Sequence, residues 1–201
     1  MRETVPGARV RAGPLDSNQI ELVSGGAGLQ TSIRASSVFA SDRCRIRATE
    51  RKHAYADAVA RTIDDDEGIR DVLIRCQTIA VVGIHHELHR AAFYVPDYLR
   101  SVGYRILGAN PHVAGRELFG ETVVPTLADL NERVDLVDVF RPSDRVPAHL
   151  AQILAMRPLP QVVWLQLGIR HDATAKALVD VGIDVVQDRC MLADHRRLRG
   201  A

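Results

Sequence analysis

From Thr78 onward, short runs of apolar residues alternate with segments whose apolar residues follow a helical period. A continuous apolar run is typical of a strand that is buried on both faces of a parallel sheet. The pattern predicts five strands, which are Thr78–Gly83, Arg105–Asn110, Asp135–Phe140, Gln161–Gln166 and Ile183–Gln187. It predicts helices between them, over Phe93–Val102, Thr126–Leu130, Ser143–Met156 and Asp172–Val181.

An amphipathic helix is predicted before the first strand. Ile69, Val72, Leu73 and Cys76 fall at i, i+3, i+4 and i+7, which places them on one face of a helix. The acidic residues 64–67 precede this stripe, and carboxylates favour a helix N-terminus. The spacing therefore favours a core thiol at Cys76 rather than a reactive one.

Regular alternation of strands and helices predicts the α/β class. We expect a Rossmann-like, doubly wound parallel sheet of five strands, joined by right-handed crossovers. Ligands of such sheets bind outside the carboxyl ends of the strands, near the switch point of the strand order. Four loops, over residues 83–90, 110–115, 140–144 and 166–171, therefore hold the candidate site.

The first 50 residues have a different composition. Gly, Ser, Arg and Ala dominate there, and apolar periodicity does not persist. Such a segment buries too little apolar surface to offset its ordering entropy, so residues 1–50 are predicted to be a disordered extension. A functional tail and a start codon assigned upstream of the true start both stay open. Residues 51–201 are predicted to form the single folded domain.

Charge and cysteine content exclude several classes of protein. The chain has 26 basic and 25 acidic residues and a net charge of +1, which argues against a nucleic-acid partner. No apolar stretch approaches the about 20 residues that span a bilayer. Cys44, Cys76 and Cys190 are too widely spaced for a disulfide framework or a zinc site. We expect reduced thiols and, without a secretory signal at the N-terminus, a cytoplasmic protein.

The loop after the first strand is a candidate anion site. Gly83 ends the strand, and His85 and Arg90 follow it before the next helix, whose N-terminus favours phosphate. The dinucleotide fingerprint G-x-G-x-x-G is absent. His86 and His89 add imidazoles, but no further residues complete a convincing metal site, and solvated loop histidines are the alternative.

The second strand ends in Asn110-Pro111. A protein that binds NAD needs an acidic residue there to hold the ribose hydroxyls, so its absence argues against NAD. The Asn110 amide can bond a base or a sugar, and Pro111 offers an apolar edge to a purine. The alternative is an ordinary turn, which Asn-Pro also favours.

Phe140 and Arg141 follow the third strand. Arg141 suits a phosphate or a carboxylate, because its guanidinium presents several donors in a fixed plane. The structural alternative is an ion pair with Asp138 or Asp144.

The fourth strand places Gln166 and Gly168 at the rim of the same crevice. Catalytic motifs are scarce, since neither a G-x-S-x-G elbow nor a P-loop is present. Cys190 is a candidate nucleophile, but nothing in the sequence places a base beside it. Asp188 and Arg189 are equally consistent with a structural ion pair next to a half-buried thiol.

Together these residues resemble the CoA-binding domain family, stand-alone relatives of the N-terminal domain of the succinyl-CoA synthetase alpha subunit. The resemblance covers residues 65 to about 198 and rests on six segments in order, Ile79–Gly83, Gly103–Ile106, Ala109–Pro111, Val137–Arg141, Val163–Gly168 and Val185–Cys190. It implies a Rossmann-like fold that holds the ADP part of coenzyme A across the sheet ends.

The resemblance also implies positions along the ligand. These are Gly83, Ile84 and His85 beside the diphosphate or pantetheine arm, Asn110 and Pro111 beside the adenosine, and Phe140 and Arg141 on the other side of the nucleotide. At His85 the family usually has a small hydroxyl residue, so this chain adds a titratable group at that point. The active histidine of the full synthetase lies in a domain that this chain does not contain.

The sequence therefore favours non-catalytic binding of coenzyme A or an acyl-CoA, by a sensor or an accessory protein. Two alternatives stay open, namely a small enzyme that uses Cys190 or His85 on a nucleotide-linked substrate and a sensor of NAD or another adenine nucleotide. A protein partner or a homo-oligomer is compatible with each.

Overall fold

The computed structural model of the protein describes residues 59–199, and the disorder predicted for residues 1–50 lies outside them. The helices are α1 (Asp66–Arg75), α2 (Ala91–Ser101), α3 (Pro147–Ala155), α4 (Asp172–Val179) and α5 (Met191–Arg199). The strands are β1 (Thr78–Val82), β2 (Arg105–Ala109), β3 (Glu117–Leu118), β4 (Glu121–Thr122), β5 (Leu136–Val139), β6 (Val162–Leu165) and β7 (Asp184–Val186). No helix in this range is long and apolar enough to cross a membrane.

Five parallel strands form the central sheet in the order β2-β1-β5-β6-β7. This order confirms the predicted Rossmann-like, doubly wound sheet and all five predicted strands. The chain runs from β1 to one edge at β2 and then crosses to the other side of β1 at β5. The switch point therefore lies between β1 and β5, which pair from Ile79↔Leu136 to Val82↔Val139. Ligand crevices of such sheets open there, outside the carboxyl ends of the strands.

Helices cover both faces of the sheet. Along β1, Ile79 and Val81 belong to the core under α1, α2 and α5, while Ala80 and Val82 belong to the core under α3 and α4. Alternate residues of a strand point to opposite faces. A strand between two such layers needs apolar side chains on both faces, and this explains the continuous apolar runs.

Helix α1 has the predicted stripe. Its N-cap residue, Asp65, accepts a hydrogen bond from the backbone N–H of Gly68 at 2.7 Å. Cys76 is fully buried in the core, as predicted, and burial raises the pKa of its thiol to about 12.

The helix predicted over Thr126–Leu130 is a 3-10 turn, Leu127–Asp129, and α4 ends at Val179 rather than Val181. Two other helices differ more from their predicted bounds. Helix α2 begins at Ala91, earlier than predicted, so Pro96 lies in its interior. The helix predicted over Ser143–Met156 is divided into a 3-10 turn, Ser143–Arg145, and α3, which begins at Pro147. Proline is favoured at the first position of a helix, where its missing N–H costs nothing.

Helix α5 was not predicted, because the helix buries polar side chains. Its buried residues include Asp194 and His195 beside Met191. Asp194 accepts two hydrogen bonds at 2.8 Å from Arg189. The ion pair considered for Asp188 and Arg189 thus forms with a different carboxylate, and Asp188 accepts instead from the backbone N–H of Gly168. His195 shares a hydrogen bond of 2.9 Å with the hydroxyl of Tyr98 on α2. A search for apolar periodicity does not detect a helix that is held by such contacts.

Candidate ligand-binding site

Two cavities open at the switch point and meet at Arg141 and Pro142. Cavity A has a volume of about 510 Å³ and lies towards β2 and α3; its lining includes Pro111, His112, Thr126, Arg145, His149 and Gln152. Cavity B has a volume of about 430 Å³ and lies beside the N-terminus of α2; its lining includes Arg90, Tyr94, Phe140, Gln166, Leu167 and Cys190. Arg141 lines both cavities and is therefore the central side chain of the crevice.

Gly83 provides the space for Arg141. Its φ angle is +85°, a left-handed conformation that favours glycine. A Cβ atom on Gly83 would lie 2.7 Å from the carbonyl oxygen of Phe140 and 3.1 Å from Nε of Arg141. The close approach of β1 to the loop after β5 therefore depends on this glycine.

Asn110 connects the loops after β1, β2 and β5. Its Nδ2 donates to the carbonyl of Ile84 at 2.7 Å, and its Oδ1 accepts from the backbone N–H of His112 and from Nη2 of Arg141, both at 3.2 Å. Only 3% of Asn110 is exposed. The Asn110 side chain thus holds Arg141 in place, and its contact with a base or a sugar stays a prediction.

Arg141 retains a donor that no side chain uses. Its Nε is buried and has no hydrogen-bond partner among residues 59–199. The predicted alternative, an ion pair with Asp138 or Asp144, is not formed, since Asp138 accepts from Gln166 and Asp144 lies 3.5 Å from Arg145. A buried donor without a partner costs about 1–3 kcal/mol, and an anionic ligand would remove that cost.

His149 on α3 is half-buried, and its Nδ1 is a second buried atom without a hydrogen-bond partner in the described part of the chain. Burial, and then the charge of Arg141, lower the pKa of His149. Sequence reasoning missed this residue, although a signal existed. Arg145, His149 and Gln152 are spaced i, i+4 and i+7 just after the β5 loop, and all three line cavity A.

His85 lies outside the linings of both cavities. Its Nδ1 accepts from the backbone N–H of Glu87 at 3.1 Å, and its own backbone N–H donates to Ala92 at 3.1 Å. The ring stacks on His86 with centroids 4.8 Å apart. Burial lowers the pKa of His85. The direct contact of this residue with a ligand stays a prediction.

Glu87 occupies the centre of the loop that was predicted to hold an anion. Its carboxylate accepts a hydrogen bond from Arg90 and lies 3.5 Å from His89, and the Arg90 guanidinium lowers the pKa of Glu87. Arg90 lines cavity B but shares its charge with this carboxylate. The pairing leaves Arg141 as the cation of the crevice that has no carboxylate partner among the described residues.

Gln166 forms part of the wall of cavity B, and Asp138 lies behind it. The Gln166 Nε2 donates to both carboxylate oxygens of Asp138 at 3.0 Å. Asp138 is fully buried in β5, and burial raises its pKa to about 7 against the opposing effects of Gln166 and of the Val139 backbone.

The ten predicted site residues divide into two groups. Five line a cavity, namely Arg90, Pro111, Phe140, Arg141 and Gln166. Five lie outside the two linings, namely Gly83, Ile84, His85, Asn110 and Gly168. The side chain of Ile84 is buried in the core, and the backbone N–H of Gly168 donates to Asp188 at 2.6 Å. In residues 59–199 no group of three or more His, Cys, Asp and Glu side chains is arranged to hold a metal ion.

The fold and the crevice define a Rossmann-like ligand-binding domain. The family model described as "CoA binding domain" matches residues 77–196, and the chain belongs to this family.

Relatives from bacteria and archaea match most of their own length. A solved structure titled "The structure of cell-free ID.343 from Thermus thermophilus" is 50% identical, with a TM-score of 0.64; the match covers 67% of this chain and 99% of that one. A "hypothetical protein from Pyrococcus horikoshii OT3" is 30% identical, with a TM-score of 0.63, and the match covers 68% and 94% of the two chains. "Uncharacterized protein YneT" of Bacillus subtilis (strain 168) is 29% identical over 127 residues, which are 63% of this chain and 91% of that protein.

Proposed function

We propose that the protein binds coenzyme A or an acyl-CoA in cavities A and B, as a sensor or accessory protein without catalysis of its own. The observation that carries the proposal is the Arg141 guanidinium, which lies where the cavities meet and keeps a buried Nε donor without a partner in the described chain. Membership in the CoA-binding domain family supports coenzyme A as the ligand.

The residues of the crevice fit the parts of this ligand. Cavity A would take the adenosine, with Pro111 as an apolar edge and His149 as a polar contact. Arg141 would hold the diphosphate, and the first turn of α2 at Ala91 and Ala92 adds backbone N–H groups that have no intrahelical partner. Cavity B would then take the pantetheine arm, which is uncharged and carries amides.

A second candidate function is an enzyme that acts on a thioester or another nucleotide-linked substrate. The observation in its favour is Cys190, which is half-buried and lines cavity B. Among the described residues no histidine or carboxylate is hydrogen-bonded to its sulfur, so we favour binding over catalysis. The cytoplasmic location predicted from the sequence agrees with both candidates.

Calorimetric titration of the full chain with CoA, ATP and NAD in parallel tests the proposal. We expect tightest binding of CoA, and Arg141→Ala should weaken it by about 1.5–3 kcal/mol, or about 10–150-fold. Arg116→Ala is the matched control, because Arg116 is exposed and lines neither cavity. Equal affinity for CoA in folded Arg141→Ala, or no binding by the unaltered chain, would contradict the proposal.

A further inference from the structure

Asp138 is a fully buried carboxylate that the packing of the sheet does not explain. It lies in β5 at the centre of the sheet, with Val81 of β1 and Trp164 of β6 at its register. Neither neighbour is titratable, so the flanking strands supply no charge to offset it. Burial of a carboxylate in apolar surroundings is costly unless a specific partner compensates for it.

The partner of Asp138 is the side-chain amide of Gln166. Only 4% of Gln166 is exposed, and its Nε2 lies 3.0 Å from each carboxylate oxygen. An ionised carboxylate only accepts hydrogen bonds, so Gln166 must turn its NH₂ group towards it. Its carbonyl oxygen is then the polar atom that Gln166 can offer to cavity B.

We propose that Asp138 is a positioning residue that holds Gln166 as a hydrogen-bond acceptor towards cavity B, so that the cavity selects a ligand segment with an N–H donor. This inference rests on the proposed function, in which that segment is the amide-bearing pantetheine arm of CoA. The nucleotide part of the ligand would be recognised elsewhere, by Arg141 and cavity A.

The charge state of Asp138 should control this selection. Burial raises the pKa of Asp138 to about 7, so the carboxyl changes its charge near neutral pH. A protonated Asp138 donates a hydrogen bond, and its best acceptor is then the carbonyl oxygen of Gln166. The side-chain amide of Gln166 then rotates, so that its NH₂ group faces cavity B in place of its carbonyl oxygen.

Other ionisable groups lie on the cavity side of Gln166. They are Arg90 and Tyr94 of α2, Arg141 after β5 and Cys190 before α5. A variant that removes only the titration of Asp138 separates its effect from theirs.

The experiment compares CoA with the methyl ester of adenosine 3′-phosphate 5′-diphosphate at its terminal phosphate, which is the nucleotide part of CoA without the arm and, like CoA, has no free terminal phosphate. We expect the ratio of the two affinities to favour CoA more strongly as pH rises from about 6 to about 8, by up to about tenfold. The phosphates titrate alike in both ligands, so the ratio cancels their contribution. In Asp138→Asn, which keeps the shape and loses the titration, the ratio should not depend on pH.

Gln166→Met provides a second variant. It should lower the affinity for CoA at pH 8 while the affinity for the armless nucleotide stays unchanged. Trp164 is the only tryptophan of the chain and pairs with Asp138 in register, so its fluorescence should show a transition near pH 7 that Asp138→Asn lacks.

The outcomes separate this inference from the proposed function. CoA binding with the same pH profile in the unaltered chain and in Asp138→Asn would overturn the role of Asp138 alone. A fluorescence titration without the transition would also overturn it. Failure of both ligands to bind at any pH would overturn the proposed function, and the selection by Gln166 with it.

Discussion

The backbone N–H of His85 donates to the carbonyl oxygen of Ala92 across 3.1 Å. In a regular helix that carbonyl accepts from the N–H four residues later, and the residue there is Pro96, which has none. The proline in the interior of α2 therefore leaves an acceptor for the loop after β1. The hydrogen bond that Pro96 cannot make inside the helix is thus replaced by the one that holds the loop after β1.

Pro96→Ala should loosen this loop. The substituted alanine would supply a backbone N–H to the Ala92 carbonyl and compete with His85 for it. We expect faster hydrogen exchange at the His85 amide, measured by mass spectrometry on peptides that cover the loop. Pro147→Ala is the control, because Pro147 stands at the first position of α3, where no carbonyl is released. Unchanged exchange in Pro96→Ala would show that the contact does not restrain the loop.

The sheet could be predicted because strands that are buried on both faces appear in the sequence as runs of apolar residues. The five strands are mainly apolar, with Asp138 inside β5 and Asp184 at the start of β7 as the buried charged exceptions, and the alternation of apolar runs and helices determines the class. Helix α5 has no such trace, because Asp194 and His195 make its buried contacts through hydrogen bonds with residues far from it in sequence or in the preceding loop. The short hairpin of β3 and β4 has two residues in each strand, too few for a period to show.

The site could be predicted as a set of loops but not as a set of contacts. The switch-point rule correctly selected Arg141 and Gln166 as residues of the crevice. It could not show that Asn110 is hydrogen-bonded to Ile84 and Arg141, since this depends on the distance between three loops. His149 was missed because it lies in the first turn of α3, beyond the loops that the rule selects.

Gly83→Ala should be strongly destabilising, and Gly115→Ala much less so. The two glycines have similar φ angles, +85° and +81°, so the conformational cost of about 1–2 kcal/mol is shared. A Cβ on Gly115 meets nothing within 4 Å, whereas a Cβ on Gly83 meets the Phe140 carbonyl at 2.7 Å. We expect urea unfolding to show about 1–3 kcal/mol of additional loss for Gly83→Ala. Equal losses in the two variants would exclude the clash as a cause.

Asp138→Asn should stabilise the protein at alkaline pH but not at acid pH. The pKa of Asp138 rises from its ordinary value of 3.8 to about 7 on folding. Between these values the folded state keeps a proton that the unfolded chain has released, so the stability contributed by protonated Asp138 declines as pH rises and is lost above about 7. The difference between the two pKa values corresponds to at most about 4 kcal/mol in the free energy of unfolding.

Urea unfolding of the unaltered chain and of Asp138→Asn at about pH 4 and about pH 8 measures this effect. The free energy of unfolding of Asp138→Asn should exceed that of the unaltered chain by an amount that grows as the pH rises. Asp144→Asn serves as the control, since Asp144 is an exposed carboxylate of the neighbouring loop. A gap that is the same at both pH values would mean that Asp138 ionises as easily in the folded protein as in the unfolded chain.

His149→Phe should weaken CoA binding without weakening the fold. The variant removes a buried ring nitrogen that has no partner in the described chain, and such an atom costs about 1–3 kcal/mol. We therefore expect an unchanged or higher midpoint of thermal unfolding together with roughly tenfold weaker binding in calorimetry. His89→Phe, at an exposed position that lines neither cavity, should leave the affinity unchanged. Retained affinity in His149→Phe would remove His149 from the site.

Cys190 and Cys76 should differ sharply in their reaction with iodoacetamide. The thiolate is the reactive form, and burial raises the pKa of Cys76 to about 12, while Cys190 is half-buried at the wall of cavity B. Peptide mapping by mass spectrometry should find rapid modification at Cys190 and very little at Cys76 in the folded protein, and comparable modification of both in urea. Saturating S-methyl-CoA, which has no free thiol to consume the reagent, should protect Cys190 if its arm fills cavity B. Binding of S-methyl-CoA without protection would instead place the arm outside that cavity, because a thiol at the wall of an occupied cavity is shielded from the reagent whether or not it takes part in chemistry.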